Sequence, residues 1–222
     1  GELLLAAADC TGHGVPGSIV SVVCSTALNR TVKELDIKEP GLILDKVREL
    51  VVRTFVKDGS ENDVKDGMDI SLLNISLWPN ENGYNVKWAG ANNPLWIIKK
   101  EDECNLINED ISSMVYYGSG FKLFEIKANK QPVGKVDVPT PFTSHSIHLY
   151  EGDCIYLFTD GYADQFGGHD GKKFKYKQLK DLLLSIAHLP MSDQKIGLER
   201  AFESWKGHLE QVDDILIVGI RL

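Results

Sequence analysis

Three aspartates in this chain stand where an apolar run stops or starts. Asp9 ends the run Leu3-Leu4-Leu5-Ala6-Ala7-Ala8, Asp160 follows the run Cys154-Ile155-Tyr156-Leu157-Phe158 after Thr159, and Asp213 stands with Asp214 just before a closing run that begins at Ile215. An apolar run of strand length that stops at an acid delivers a carboxylate to the end of a buried sheet. If those strands lie side by side, three carboxylates converge. Without His or Cys partners the cluster offers hard oxygen ligands, which suit Mg2+ or Mn2+ and not zinc. Such clusters commonly hold two ions roughly 3.5–4 Å apart, which activate a water and clamp phosphoryl oxygens. The chemistry is phosphate-ester hydrolysis by direct attack of water, with no nucleophilic side chain. Any single aspartate here reads more readily as a turn or cap residue, and Asp164 and Asp214 keep that reading. Convergence is what sets Asp9, Asp160 and Asp213 apart.

The elements that must position these acids follow from local pattern. Gly12, Gly14 and Gly17 let the backbone turn tightly after Asp9 and approach a bound ion or phosphate. Pro16-Gly17-Ser18 then predicts a helix entry with Ser18 as N-cap, and apolar residues recur at helical spacing over 19–35. Pro40 suits the first turn of a second helix, whose apolar stripe is Leu44, Val47, Leu50, Val51 and Phe55. Residues 57–67 are polar and loop-like. Strands are predicted over 69–78, 84–89 and 95–99. The first two are joined by a turn at 79–83, and the last two by the turn Gly90-Ala91-Asn92-Asn93-Pro94, which reads as a link between paired strands. Residues 101–120 show no readable pattern. Further strands are predicted over 121–128, 144–149 and 154–158. A helix over 176–189 ends at Pro190, and a last helix carries Leu198, Phe202, Trp205 and Leu209 on one face. Asp213-Asp214 opens a closing strand over 215–222. Strands grouped in a run, with helices before and after, predict an α+β fold built on antiparallel sheets.

Composition narrows the partners. A length of 222 residues with 43% hydrophobic residues is enough for a full core. The net charge of -8 argues against nucleic acid or an anionic membrane as partner and suits a site that concentrates divalent cations. Cys10, Cys24, Cys104 and Cys154 form no CxxC pair and read as free thiols, which points to a reducing, cytoplasmic compartment. Lys172-Lys173-Phe174-Lys175-Tyr176-Lys177 reads as a solvated helix entry, with contact to a phosphoprotein as the alternative. His145 and His148 carry no ligand pattern.

Three segments also carry a family resemblance. Asp9-Cys10-Thr11-Gly12-His13-Gly14-Val15-Pro16-Gly17, Phe158-Thr159-Asp160-Gly161-Tyr162-Ala163-Asp164 and Val212-Asp213-Asp214-Ile215-Leu216 resemble the DxxGHGxxA/G, TDGxxE/D and DDxT/I motifs of the SpoIIE-like phosphatases, bacterial members of the PPM (protein phosphatase 2C-like) superfamily. Gly90-Ala91-Asn92-Asn93-Pro94-Leu95 and Gln131-Pro132-Val133-Gly134 resemble that family's AGHNP and PLG segments. The match runs through the whole chain in order.

The resemblance implies a single phosphatase domain over 1–222, a central antiparallel β-sandwich flanked by paired α-helices in four αββα layers, and dependence on two Mn2+ or Mg2+ ions. Asp9 would bridge the two metals with the Cys10 backbone carbonyl on one of them, and Asp160 and Asp213 would ligate the other. His13 matches the GHG histidine, either a proton donor to the leaving alkoxide or a structural turn residue. The implied activity is hydrolysis of phosphoserine or phosphothreonine on a phosphorylated protein of the anti-sigma-factor antagonist type. The helix pair after Asp9 would relay signals from an upstream sensor or linker domain. The family's upstream GGDxY-type strand is not in this sequence, so the expectation is the C-terminal part of a longer signalling protein, short of one strand and one supporting acid. A membrane anchor could precede Gly1, and an exposed edge could pair chains into a homodimer. The rival reading is a catalytically silent phosphoprotein-binding module of the same fold. A metal-dependent nuclease sits badly with the acidic charge.

Overall fold

The apolar run at the start of the chain is β1 (Glu2–Cys10), which pairs antiparallel with β2 (Gly67–Ser76). Between them in sequence lie α1 (Gly14–Asn29), a π-helical turn over Arg30–Glu34 that continues it, and α2 (Pro40–Phe55). After β2 come β3 (Tyr84–Ala91), β4 (Leu95–Lys100), β5 (Ser113–Gly118), β6 (Phe121–Ile126), β7 (Val133–Gly134), β8 (His145–Leu149) and β9 (Cys154–Phe158). The chain ends with α3 (Gly161–Asp164), a short hairpin of β10 (Phe166–Gly167) and β11 (Lys172–Lys173), then α4 (Lys175–Ile186), α5 (Met191–Lys206) and β12 (Ile217–Arg221). The computed structural model describes residues 1–12, 14–55, 66–78, 83–102 and 113–222. It is α+β, as expected, and it divides into two compact units.

The first unit comprises Gly1–Pro94 and Lys127–His148. Its sheet runs β1-β2-β3-β8, with β7 also paired to β2. Alternation along β2 puts Met68, Ile70 and Leu72 in one apolar cluster with Val20, Cys24 and Ala27 of α1 and Ile43, Leu44, Val47 and Val51 of α2. Each fully buried aliphatic side chain contributes about 1.5–3 kcal/mol, which is why the amphipathic stripe of α2 settles there. The start of α2 is pinned by the Gly41 amide donating to Ser144 Oγ at 2.8 Å. On the other side of β2, buried Ser71 accepts a 2.8 Å hydrogen bond from Trp88 Nε1. In β3, Asn85 and Lys87 are exposed while Val86 and Trp88 are buried, the alternation of a half-buried strand.

The second unit comprises Leu95–Ile126 and Leu149–Leu222, with a sheet in the order β12-β9-β4-β6-β5. All of β9 is buried, as a continuous apolar run in a central strand should be. Leu179, Leu183 and Leu184 of α4 and Phe202 of α5 join Trp96, Tyr156 and Phe158 in its core. Lys180 reaches Glu125 at 2.7 Å, and Glu125 also accepts from Trp96 Nε1 at 2.8 Å, so α4 is tied to β6 and β4 by charge as well as by packing.

Several sequence expectations are corrected. Ser18 is not an N-cap: α1 already starts at Gly14, and Ser18 Oγ donates back to the Gly14 carbonyl at 2.9 Å. β3 and β4 are not paired, because they belong to different sheets. Asn92 takes a positive φ of 58°, and Pro94 has no amide to donate, so the chain leaves one ladder before entering the next. Leu209 lies beyond α5, and β12 starts two residues after the expected strand. β5, in a stretch without readable pattern, and the short β7, β10 and β11 are additions. The expected loop at 57–67 and turn at 79–83 fall largely outside the described residues, as does Cys104. Cys10, Cys24 and Cys154 are free thiols, as expected.

Candidate active site

In the first unit, Asp9 and Cys10 are the last residues of β1, opposite Asp69 and Met68 of β2. Cys10 belongs to the side of β1 that packs on the helices, with Leu4 and Ala8. Alternation therefore turns Asp9 to the opposite face, and turns Asp69 to that same face of β2. The next residue locks the strand ends together: the Thr11 amide donates to the Gly67 carbonyl at 3.0 Å, and Thr11 Oγ1 accepts from the Gly67 amide at 3.1 Å. The chain then turns through Gly12 at a φ of +89°, and a Cβ on Gly17 would come within 2.5 Å of the Gly12 carbonyl oxygen, so α1 enters the turn only with glycine there. His13 lies outside the described residues.

Asp69 is a candidate that sequence reading passed over. It sits among buried residues, and desolvation raises its carboxyl above the usual range while a 2.8 Å hydrogen bond from Asn92 Nδ2 opposes that. An acid between Met68 and Ile70 in an apolar strand was the signal. Cys10 is held down to about 7 by a hydrogen bond from the Cys24 thiol, against burial and the Asp9 charge; that hydrogen bond to Cys10, with burial, pushes Cys24 up.

In the second unit, Asp160 precedes α3 and Asp213 lies in irregular chain before β12. The fold brings these two together: each offers a carboxylate oxygen within 4.8 Å of the other. A Cβ on Gly161 would collide with the Asp214 carbonyl and reach within 3.4 Å of Asp213 Cβ, so only glycine lets the segments close up. The Asp213 carboxylate is oriented by the Asp214 amide, which donates to its Oδ1 at 2.8 Å. Two acids held at this spacing repel unless a cation sits between or beside them, and carboxylate oxygens suit a hard divalent ion. The donor set fits Mg2+ or Mn2+. Asp164 is engaged elsewhere, by Lys173 at 2.8 Å, and Lys172 by Asp170 at 2.9 Å, which favours the solvated reading of that lysine run. His148 is hydrogen-bonded to Asn85.

Solved structures place this fold in a class. The SiaA-PP2C domain of Pseudomonas aeruginosa matches with a TM-score of 0.76 at 23% identity, covering 99% of this chain and 75% of that one. The PP2C phosphatase domain of SpoIIE from Bacillus subtilis, with a fragment of its regulatory domain, matches with a TM-score of 0.63 at 15% identity, covering 99% of this chain and 54% of that one. RsbX in complex with magnesium matches with a TM-score of 0.57 at 14% identity, over 98% of this chain and 80% of that one. The fold is that of PP2C phosphatase domains. A family model for stage II sporulation protein E (SpoIIE) matches residues 1–222, so the chain belongs to the SpoIIE family. A search of curated proteins returns no match. Among the described residues no helix is long and apolar enough to cross a membrane.

Proposed function

We propose that residues 1–222 act as one metal-dependent serine/threonine protein phosphatase domain, with Asp9, Asp160 and Asp213 as its metal-ligating acids. The observation that carries this reading is the pair Asp160 and Asp213, two carboxylates from distant segments held within 4.8 Å in a chain of this family. Asp9 is the remaining acid at a matching motif position, on the face of β1 opposite the one that packs on α1 and α2. Asp9, the Cys10 carbonyl, Asp160 and Asp213 would hold two Mn2+ or Mg2+ ions. When bound, such ions supply Lewis-acid charge neutralisation at phosphoryl oxygens and lower the pKa of water. The protein's part is to hold the acids rigid, with Asp213 oriented by the Asp214 amide and Asp9 fixed by the strand-end lock at Thr11. His13 is the candidate to return a proton to the serine or threonine oxygen as it leaves. The substrate class is a phosphoserine or phosphothreonine protein of the anti-sigma-factor antagonist type, in the cytoplasm.

The test is hydrolysis of a phosphoserine peptide and of p-nitrophenyl phosphate in Mn2+, with EDTA and Asp160→Asn as controls. Turnover that requires Mn2+ and falls at least ~100-fold in Asp160→Asn is expected, since a metal ligand is being removed. Turnover indifferent to both would sink the reading.

A further inference from the structure

Gln165, directly after α3, is completely buried. Its Nε2 donates to the carbonyls of Phe166 and Glu210, both at 2.9 Å, and its Oε1 accepts from the Val212 amide at 3.2 Å. Its own carbonyl accepts from Trp205 Nε1 at 3.1 Å and from the Phe174 amide at 2.9 Å. A buried side-chain amide with both protons and its oxygen engaged has one stable orientation, because any other strands polar atoms away from water. Two of its bonds go to residues 210 and 212, in an exposed stretch without regular structure. Such chain has little packing of its own to fix it.

The other side of Asp213 is anchored as well. Buried Thr159 accepts from the Leu216 amide at its Oγ1, 3.1 Å away, and its own amide donates to the Leu216 carbonyl at 3.0 Å. The short stretch 159–165 therefore carries Asp160 and both anchors of the segment that carries Asp213. Thr159 belongs to the motif already described; Gln165 does not.

We propose that Gln165 is a positioning residue that fixes Asp213 against Asp160 through its hydrogen bonds to residues 210 and 212, and so sets the affinity of this pair for a divalent cation. The inference rests on the reading of Asp160 and Asp213 as cation ligands. Side chains that orient ligands typically change metal affinity by roughly 10–100-fold when removed.

The experiment is Mn2+ titration followed by the electron paramagnetic resonance signal of free Mn2+, with no substrate present. Gln165→Leu is compared with wild type, Asp160→Asn and Gln194→Leu. Gln194 is a second buried glutamine of the same unit, bonded to Tyr156 and Leu189 and remote from Asp213 in its hydrogen bonding, so it controls for lost stability alone. Gln165→Glu keeps the acceptor for Val212 while losing both donors, and serves if Gln165→Leu does not fold. The expected result is a Kd raised about 10–100-fold in Gln165→Leu, and several-fold in Gln165→Glu, with Gln194→Leu within twofold of wild type. A Gln165 variant within twofold of wild type, beside an Asp160→Asn that binds weakly, overturns the positioning role and leaves the cation site standing. An Asp160→Asn variant that binds as wild type does overturns both. A Gln194→Leu variant as impaired as Gln165→Leu also overturns the positioning role.

Discussion

Lys99 and Asp153 form an ion pair deep in the second unit, and removing one partner should be far more costly than removing both. Each side chain is 1% exposed, and Lys99 Nζ lies 2.8 Å from Asp153 Oδ2. That oxygen also accepts from the Tyr150 amide at 2.9 Å, and the ammonium stands 5.0 Å from the centre of the Tyr150 ring. Asp153 Oδ1 has no hydrogen-bond partner among the described residues, so the pair is incompletely solvated by the protein. An intact buried pair contributes little net stability, since desolvation offsets most of the attraction. Breaking it leaves an uncompensated charge and costs about 3–5 kcal/mol. Lys99→Met should therefore remove about a fifth or more of the roughly 5–15 kcal/mol typical of a folded domain. At ~2–4 °C per kcal/mol for a chain of this size, the melting temperature should fall by about 6–20 °C. Lys99→Met combined with Asp153→Asn removes both charges and keeps an acceptor for the Tyr150 amide. It should recover most of the loss, a coupling of ~2 kcal/mol or more. Urea unfolding followed by both tryptophan fluorescence and circular dichroism, with unchanged m values, measures this cycle. A Lys99→Met cost below about 1 kcal/mol, or a double variant as unstable as the single, would refute the reasoning.

Two further outcomes follow from the structure. Burial lowers the His145 imidazole below its ordinary value, beside Trp88 at 5.5 Å between ring centres; the unfolded chain then takes up the proton first, so stability is lost as pH falls through the unfolded histidine range near ~6.5. Urea midpoints at pH 7.5 and 5.5 should diverge between wild type and His145→Gln, with wild type losing more at the lower pH, and parallel curves would contradict the assignment. Gly161→Ala sets a methyl group against the Asp214 carbonyl; overpacking should cost about 1–3 kcal/mol and weaken Mn2+ binding together, and a variant with native affinity would show that the contact yields freely.

Much of the fold was legible because burial writes a period into the chain. The run at 154–158 reads as a central strand and is one, and the stripe from Leu44 to Phe55 reads as a helix face and packs as one. Asp160 and Asp213 were legible as acids bordering apolar runs. Their shared site was implied only by the motif resemblance, since a local pattern says which face is buried and nothing about which distant segment covers it. The turn at 90–94 shows the limit clearly: its composition marks a break but not that β3 and β4 enter different sheets.

The sequence by itself determined most of the longer elements and the three motif acids that border them, because propensity, periodicity and residue type are local properties. Only the tertiary structure decided strand order, the placement of Asp69 opposite Asp9, and the role of Gln165. A buried, fully bonded glutamine and an exposed one are the same letter, and the difference lies in hydrogen-bond partners some 45 residues away.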